Sequence, residues 1–395
     1  MVEEKKNISA NVVVLGVVSF LNDVASEMVY PVVPIFLVTV LGAPTYVVGL
    51  IEGLADALSK ILQSFFGIFS DQSQKRKPYV VWGYSFATLS HLMMCLASSW
   101  PLVMVARVIN RTGKGIRTSS RDALITESTD KLDRGRNFGF HRTLDSLGAV
   151  VGPLLSIWLL KILHDNYRQL FFIAFFPALI GVVLLILLIK EQIKSPLGLK
   201  GLHFEWSKAN DSYKIFLLIS FIFTLGNSSG AFMILRAQNL GLSIQLTILT
   251  YVLLNSTYAV FSMPAGIVAD KIGARKVLFL GFLVFAFVYL SFGAINNPWW
   301  IWVLFPIYGI FLAFTDGVGK TYISKLIPHE ISASAFGIYQ TLMGIATFFA
   351  STIAGLLWTL GNARLPFYFG GIMAVISALL FLVLTKRIRV QQPLA

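Results

Sequence analysis

The chain has 395 residues, of which 56% are hydrophobic and 13% are charged, and its mean hydropathy is +0.74. A soluble domain carries about 25% charged residues, so this composition excludes an ordinary soluble protein and indicates a membrane protein. Each spanning helix needs about 20 apolar residues, which leaves room for about a dozen spans. The formal net charge of +13 does not by itself indicate nucleic-acid binding, because Lys and Arg collect in the cytoplasmic loops of membrane proteins.

Hydropathy predicts twelve helices along the chain. They lie near residues 10–40, 44–70, 78–98, 101–125, 136–162, 168–190, 213–237, 243–269, 276–295, 298–326, 331–360 and 364–387. Basic residues crowd the turns on one side, as at 75–77 and 271–276, whereas the turns near 41–46, 98–100 and 296–298 have none. The positive-inside rule therefore predicts a multi-pass protein of the inner or plasma membrane with both termini in the cytoplasm.

The two halves of the sequence repeat each other. Residues 67–77 and 266–276 share a glycine, an aspartate, an arginine and a lysine at one offset of 199 residues. A second segment, 138–144, returns at 336–342. The longest polar connection, 191–212, separates the copies, so we predict a six-helix bundle over 1–190, a cytoplasmic linker over 191–212 and a second six-helix bundle over 213–395.

These features resemble the major facilitator superfamily of secondary transporters. The segments 67–77 and 266–276 are similar to the family's G-x-x-x-D-x-x-G-x-[RK]-[RK] loop, although Gln74 replaces its second glycine in the first copy. The segment Gly148–Pro153 is similar to a G-x-x-x-G-P motif of proton-driven exporters, and Pro31 and Pro34 occur as in many drug/proton antiporters. The resemblance implies an all-α membrane protein of two pseudo-symmetric bundles around a cavity, working by alternating access. We expect a monomer.

The resemblance also implies a gate at the repeated loops. Asp71 would dock near Ser332 at the start of predicted helix eleven, and Asp270 would do the same at predicted helix five. A carboxylate at a helix N-terminus is stabilised by about 0.3–1 kcal/mol. The alternative is a plain solvated loop. The residues assigned to gating are Gly67, Asp71, Arg76, Asp270 and Arg275.

Charged residues at membrane depth are the strongest candidates for a functional site, because each costs about 2.5–3.5 kcal/mol and normally faces a cavity or a partner. Five of them share about a third of the circumference of predicted helix four: Arg107, Arg111, Lys114, Arg117 and Arg121. Asp23 and Glu27 are four residues apart on predicted helix one. Such residues can be ion pairs that join helices, or they can bind solute and proton, and the sequence leaves both interpretations open.

On the second interpretation, surplus positive charge favours an anionic solute. The residues predicted to bind it are Arg111, Lys114, Arg236 and His141. The residues predicted to couple protons are Asp23, Glu27, Asp56 and Asp145. We expect Arg107 and Arg117 to be supporting residues, and Asp316 and Lys320 to pair with each other.

The sequence therefore predicts a secondary transporter that moves a small anionic organic solute, such as an organic acid or a carboxylate siderophore, with protons. Sodium is the alternative coupling ion. The rival functions are a drug/proton antiporter and a non-transporting membrane sensor or scaffold. Gly113–Gly115 and Gly317–Thr321 superficially resemble phosphate loops, but both lie in predicted spans, which excludes nucleotide binding. We expect the lipid bilayer as surroundings, and no enzyme activity, cofactor, metal ion or nucleic-acid partner.

Overall fold

The computed structural model describes residues 8–73, 75–130, 133–191, 210–327 and 332–384. Within these ranges the chain forms helices and no β-strand. Twelve long helical segments follow one another: α1 (Ala10–Val40), α2 (Thr45–Ser73), α3 (Lys77–Cys95), α4 (Trp100–Glu127), α5 (Arg134–Ile162), α6 (Tyr167–Leu188), α7 (Asp211–Asn239), α8 (Ile244–Ile272), α9 (Ala274–Ala294), α10 (Ile301–Leu326), α11 (Ser332–Leu360) and α12 (Leu365–Leu384). The twelve predicted helices are confirmed, with boundaries that differ by a few residues.

Two of the segments are interrupted, which hydropathy alone did not predict. The α-helix of α1 ends at Val29 and is followed by a short turn at Val33–Ile35 and a π-helical turn at Phe36–Val40. Pro31 and Pro34 explain this break, because proline lacks the N–H that a continuing helix needs. Segment α7 breaks after Gly226 and resumes at Ala231. Each break falls in the first segment of its sequence repeat.

Nine helical segments in the described ranges are long and apolar enough to cross a membrane. Segments α2, α3 and α4 are not among the nine. Helix α4 fails because of the five basic side chains that it carries, and a helix with such a composition is stable in a bilayer only inside a bundle. The chain is therefore a multi-pass membrane protein whose most charged helix is enclosed by protein.

The chain divides into two compact units. The first unit comprises Met1–Leu37 and Leu58–Lys200, and the second comprises Val38–Ala57 and Gly201–Ala395. The boundary near residue 200 falls inside the predicted linker, most of which lies outside the described residues. The second unit also takes in the start of α2, where a Cβ on Gly53 would lie 2.9 Å from the Phe348 carbonyl oxygen of α11.

The two units repeat one packing order. In the first unit α1 packs against α5 and α6, and α3 packs against α4 and α6. In the second unit α7 packs against α11 and α12, and α9 packs against α10 and α12. This correspondence, helix for helix, is the structural counterpart of the repeat in the sequence.

The interiors of the units differ in chemistry. Stacked aromatic rings fill the second unit, with ring centroids 4.3 Å apart for Phe223 and Phe282 and 4.0 Å apart for Phe285 and Tyr289. Such pairs contribute about 0.5–1.5 kcal/mol each beyond the burial of their area. The first unit instead holds the charged column of α4. The two units therefore share one packing of helices but differ in the side chains of their interiors.

Gly148 and Gly152 of α5 let α1 and α5 approach each other closely along their backbones. A Cβ on Gly148 would lie 2.9 Å from the Cβ of Asp23 and from the Phe20 carbonyl oxygen. A Cβ on Gly152 would lie 2.6 Å from the Val24 carbonyl oxygen and 3.0 Å from the Cβ of Glu27. This glycine seam places the two acidic residues of α1 directly against α5.

We expect Gly152→Leu to destabilise the protein by about 1–3 kcal/mol or more, because the added side chain meets backbone that cannot move aside. The measurement is thermal unfolding of the purified protein in detergent. Gly139→Leu on the same helix is the matched control, because a Cβ at Gly139 meets no atom within 4 Å. Equal stability of the two variants would contradict the seam.

Candidate functional site

The basic column of α4 is graded in exposure. Arg107 and Arg117 are each 6% exposed. Arg111 and Arg121 are half-buried, and Lys114, in the middle, is exposed. A charged side chain that is open at the centre of an enclosed helix faces water rather than lipid. Lys114 is therefore the most accessible of the five basic side chains in this column.

Two glycines determine which way Lys114 points. A Cβ on Gly113 would lie 2.9 Å from the Cβ of Phe86 on α3. A Cβ on Gly115 would lie 2.9 Å from the Ser59 carbonyl oxygen on α2. Neighbouring helices thus cover the sides of α4 on which Gly113 and Gly115 lie. The side chain of Lys114 extends from the side that remains uncovered. This segment is helical, as is 317–321 in α10, so neither is a phosphate loop.

Two tyrosines hold the arginines of the column. Tyr30 lies at the break of α1, with its ring centroid 5.5 Å from the guanidinium carbon of Arg107 and 5.8 Å from that of Arg111. Tyr84 of α3 has its ring centroid 4.3 Å from the guanidinium carbon of Arg117. Each cation–π contact contributes about 0.5–2 kcal/mol. Both tyrosines were missed from the sequence, because a tyrosine in an apolar run is ordinary.

A buried network joins α1, α3, α4 and α5. The hydroxyl of Ser19 donates to Oδ1 of Asp145 at 2.5 Å and accepts from Tyr84 Oη and Arg121 Nη1, both at 3.3 Å. Asp145 also lies 3.9 Å from Arg121 Nη1 and 3.6 Å from Arg142 Nη1. Ser19 has no exposed surface. The carboxylate of Asp145 is thus compensated by two guanidinium groups and one hydroxyl, which is the arrangement of a structural ion pair.

Ser19 could have been found from the sequence. It lies four residues before Asp23, which itself lies four residues before Glu27, so the three side chains share one face of α1. The site predicted from the sequence included the two acidic residues of this series but not the serine.

Asp23 is compensated far less than Asp145. Its carboxylate accepts one hydrogen bond, from Nδ2 of Asn22 at 3.3 Å. Among the described residues no Lys or Arg nitrogen comes within 4.0 Å of it. Lys114, Arg117 and Glu27 lie within electrostatic range. Asp23 therefore lies within electrostatic range of Lys114 and Arg117 without an ion pair to either of them.

The other predicted site residues are distributed as follows. His141 is 4% exposed, lies within electrostatic range of Asp145 and Arg121, and has no hydrogen-bond partner for Nε2 among the described residues. Asp56 is half-buried on α2, in the segment that belongs to the second unit. Its role in proton coupling stays a prediction.

Arg236 closes the end of a helix. Its Nε donates to the Phe292 carbonyl oxygen at 3.2 Å and its Nη2 to the Ile295 carbonyl oxygen at 2.8 Å. Its Nη1 donates to Asn239 Oδ1 at 2.7 Å. These carbonyls are the last ones of α9, which a cation stabilises. This side chain is 3% exposed, so its contacts give it a structural role, and its binding role stays a prediction.

Arg76 is the centre of a second cluster, at the ends of α2, α4 and α6. Its Nη1 donates to Ser70 Oγ at 2.8 Å, and its Nη2 lies 3.3 Å from Oε1 of Glu127. Oε1 of Glu191 accepts from the backbone N–H of Arg76 and, at 2.8 Å, from that of Lys77. Arg76 is 5% exposed. It therefore fastens helices within the first unit, whatever part it has in gating.

Lys77 and Glu191 cap two helices reciprocally. The Nζ of Lys77 donates to the carbonyl oxygens of Ile186 and Ile189, each at 2.8 Å, at the end of α6. Glu191, three residues after α6, accepts from the first N–H groups of α3. A cation at one C-terminus and a carboxylate at one N-terminus each suit the helix dipole.

The remaining gating residues are placed by their helices. A Cβ on Gly67 would lie 3.3 Å from Ser119 of α4, so this glycine serves helix packing. Asp71 lies in the last turn of α2 and Asp270, exposed, in the last turn of α8. Arg275 is half-buried at the start of α9, after the turn at Gly273, whose φ of +96° favours glycine. Gln74, which occupies the equivalent position in the first copy, lies outside the described residues, and gating stays a prediction.

Together, the membrane-spanning segments, the two repeated units and the enclosed polar column define a multi-pass transporter. The sequence profile of the Major Facilitator Superfamily matches residues 15–234 and 215–394. An uncharacterized MFS-type transporter of Methanocaldococcus jannaschii is 39% identical over 395 residues, covering 96% of each chain. The chain belongs to the Major Facilitator Superfamily and is a secondary transporter.

Two further similarities bear on the fold and on the alternative function. The solved structure of a POT family transporter in complex with 5-aminolevulinic acid superposes with a TM-score of 0.81 at 13% identity, covering 97% of each chain. The multidrug resistance protein MdtH of Photorhabdus laumondii is 31% identical over 134 residues, which is 34% of this chain and 33% of that protein.

We expect Asp145→Asn to destabilise the protein by about 1–3 kcal/mol, because it removes the carboxylate to which the buried Ser19 hydroxyl donates, while Arg121 keeps the carboxylate of Asp122 at 3.0 Å. Thermal unfolding in detergent measures this loss. A variant Asp145→Asn that is as stable as the wild type would show that the network is not structural.

Proposed function

We propose that this transporter moves a small anionic organic solute, such as an organic acid, together with protons. The observation that supports this best is the exposed side chain of Lys114 in the middle of the α4 column, within electrostatic range of the weakly compensated carboxylate of Asp23. A solute carboxylate that binds Lys114 would complete its charge compensation. Arg111, held over Tyr30, lies one turn away and is placed to make a bidentate contact.

The charge balance of the first unit supports an anion. Five basic side chains lie on α4, and four acidic side chains lie within electrostatic range of them: Asp23, Glu27, Asp145 and Asp122, which is 3.0 Å from Arg121. Asp145 already belongs to Arg121 and Arg142. The basic side chains of the column thus outnumber these acidic side chains by five to four, and an anion would offset the difference.

The proton would be carried by Asp23, with Glu27 one turn away as the second candidate. A carboxylate with one neutral hydrogen bond gains more from protonation than one held by two guanidinium groups. In this proposal Asp145 is structural, Arg236 is a helix cap, and His141 borders the site. The protein would act as a monomer in the inner or plasma membrane, with sodium as the alternative coupling ion.

Transport in proteoliposomes tests the proposal. We expect uptake of radiolabelled organic acids, screened as a panel, to be accelerated by an inward proton gradient. Lys114→Gln should reduce uptake by about tenfold or more, because it removes a charge-assisted contact worth about 1.5–3 kcal/mol. Lys161→Gln, which changes an exposed lysine at the end of α5, is the matched control and should transport normally.

Asp23→Asn separates binding from coupling in the same assay. We expect it to retain exchange of solute across the membrane and to lose the acceleration by the proton gradient. Normal coupling in Asp23→Asn together with normal uptake in Lys114→Gln would show that the assigned site is wrong.

The second candidate function is drug/proton antiport, which the 31% identity to MdtH over 134 residues favours. The open cationic column disfavours a lipophilic cation, which would be repelled by Lys114 and Arg111. Efflux of cationic dyes from the same proteoliposomes, with no uptake of organic acids, would favour this alternative.

Orientation in the membrane has its own test. In a background with Cys95→Ser, we expect Lys75→Cys and Lys271→Cys to react with a membrane-impermeant maleimide only from the cytoplasmic side, because these turns carry the basic residues. Asn297→Cys, at an exposed turn without basic residues, should react only from the opposite side. Inverted labelling would place the termini outside the cytoplasm.

A further inference from the structure

The end of the second unit at which α9 and α11 finish is rich in tryptophan. Four of the eight tryptophans in the chain lie there: Trp299, Trp300, Trp302 and Trp358. Trp299 is 72% exposed and Trp300 is 56% exposed, immediately before α10 begins at Ile301. Tryptophan is enriched where a membrane meets water, because its ring suits acyl chains and its N–H suits polar groups. This end of the unit therefore lies at the level of the lipid headgroups.

Arg364 lies at the same end and is held in place by two asparagines. Its Nη2 donates to Oδ1 of Asn296 at 2.5 Å, and its backbone N–H donates to Oδ1 of Asn362 at 2.9 Å. The side chain is exposed. Its Nε and Nη1 have no hydrogen-bond partner among the described residues. The guanidinium group is thus fixed in position while some of its donors remain available.

Arg168 is the counterpart of Arg364 in the first repeat, at the start of α6. Its Nε and Nη2 both donate to the Ala97 carbonyl oxygen, at 3.2 Å and 3.1 Å, and its guanidinium carbon lies 6.0 Å from the ring centroid of Phe36. Arg168 therefore closes the end of α3. In the second unit Arg236 performs this capping at the end of α9, so Arg364 is not required for it.

The charges around Arg364 favour an anion. The described acids after residue 210 are Asp211, Asp270 and Asp316. The first two lie in the first turn of α7 and the last turn of α8, at the opposite end of the unit. Asp316 lies fifteen residues after the start of α10, which is about 22 Å along the axis. Arg236 lies within electrostatic range of Arg364, so the described part of this end carries two guanidinium groups and no carboxylate.

Asp316 has its partner at its own depth. Tyr258 Oη on α8 donates to Oδ2 of Asp316 at 2.7 Å. The sequence predicted a pair between Asp316 and Lys320, but no ion pair within 4.0 Å joins them. The carboxylate is thus engaged by a phenol, far from the tryptophans.

We propose that this end of the second unit binds an anionic phospholipid, with Arg364 donating to the phosphate and the rings of Trp299 and Trp300 packing beside the acyl chains. A guanidinium group matches a phosphate with two parallel hydrogen bonds. The field of Arg236 and Arg364 opposes a headgroup that carries an ammonium group, such as phosphatidylcholine, so the site selects a lipid of net negative charge. In the proposed orientation this lipid belongs to the leaflet that faces away from the cytoplasm.

Photo-crosslinking tests the proposal. Full-length protein in detergent is mixed with phosphatidylglycerol that carries a diazirine in its acyl chain, irradiated, digested and analysed by mass spectrometry. We expect adducts in the peptides that contain Trp299 and Trp300. Unlabelled phosphatidylglycerol should compete, whereas phosphatidylcholine and inorganic phosphate at the same concentration should not.

The variants test the role of the guanidinium group. Arg364→Gln should lower these adducts by about tenfold or more, because it removes a charge-assisted contact to phosphate. Arg364→Lys keeps the charge without the fork and should give intermediate labelling. Arg168→Gln is the matched control, because it removes the counterpart arginine of the first unit, and it should leave the adducts at Trp299 and Trp300 unchanged.

Three results would overturn the proposal. Absence of adducts at these tryptophans, or wild-type labelling in Arg364→Gln, would show that no lipid is held there by Arg364. Equal competition by phosphatidylcholine would show contact with lipid but no selection of the headgroup. Competition by inorganic phosphate would show a site for a free anion instead. The assay contains no transported solute, so its result does not depend on the proposed function.

Discussion

Five positive charges on one membrane helix need compensation, and the first unit is built around this need. Glycines bring α1, α2 and α3 close enough to supply it, and the compensation takes three forms. Tyrosine rings cover Arg107, Arg111 and Arg117, the carboxylates of Asp122 and Asp145 pair with Arg121, and the side chain of Lys114 is exposed. Where protein groups compensate a charge of α4, the contact also holds two helices together. We propose that a solute binds where the protein leaves Lys114 exposed.

The second unit reaches the same helix packing by other means. Its interior is aromatic, so its stability comes from ring contacts and apolar burial rather than from paired charges. Two of the charged residues in α7–α12 show this difference: Arg236 caps the end of α9, and Asp316 accepts a hydrogen bond from Tyr258. The two repeats of one fold thus have different interiors: charged side chains lie inside the first unit and aromatic side chains inside the second.

Much of this architecture could be predicted from the sequence. The membrane spans can be predicted because a helix that crosses a bilayer needs a long apolar run. The repeat at Gly67–Lys77 and Gly266–Lys276 indicates the duplication of the two halves. The charged column followed from the helical period. What the sequence could not give was the partner of each charge: Tyr30 and Tyr84 are neutral, Arg236 bonds to backbone carbonyls, and Asp316 bonds to Tyr258 rather than to Lys320. The partner of each charge depends on which helices are neighbours in the fold, and hydropathy does not show this.

The reciprocal caps of Lys77 and Glu191 have a mechanical consequence. Glu191 is the last described residue before the segment that connects the units, and it is anchored to the first N–H groups of α3. The point where the chain leaves the first unit is therefore held by two helices, and the last turn of α6 does not bear it alone.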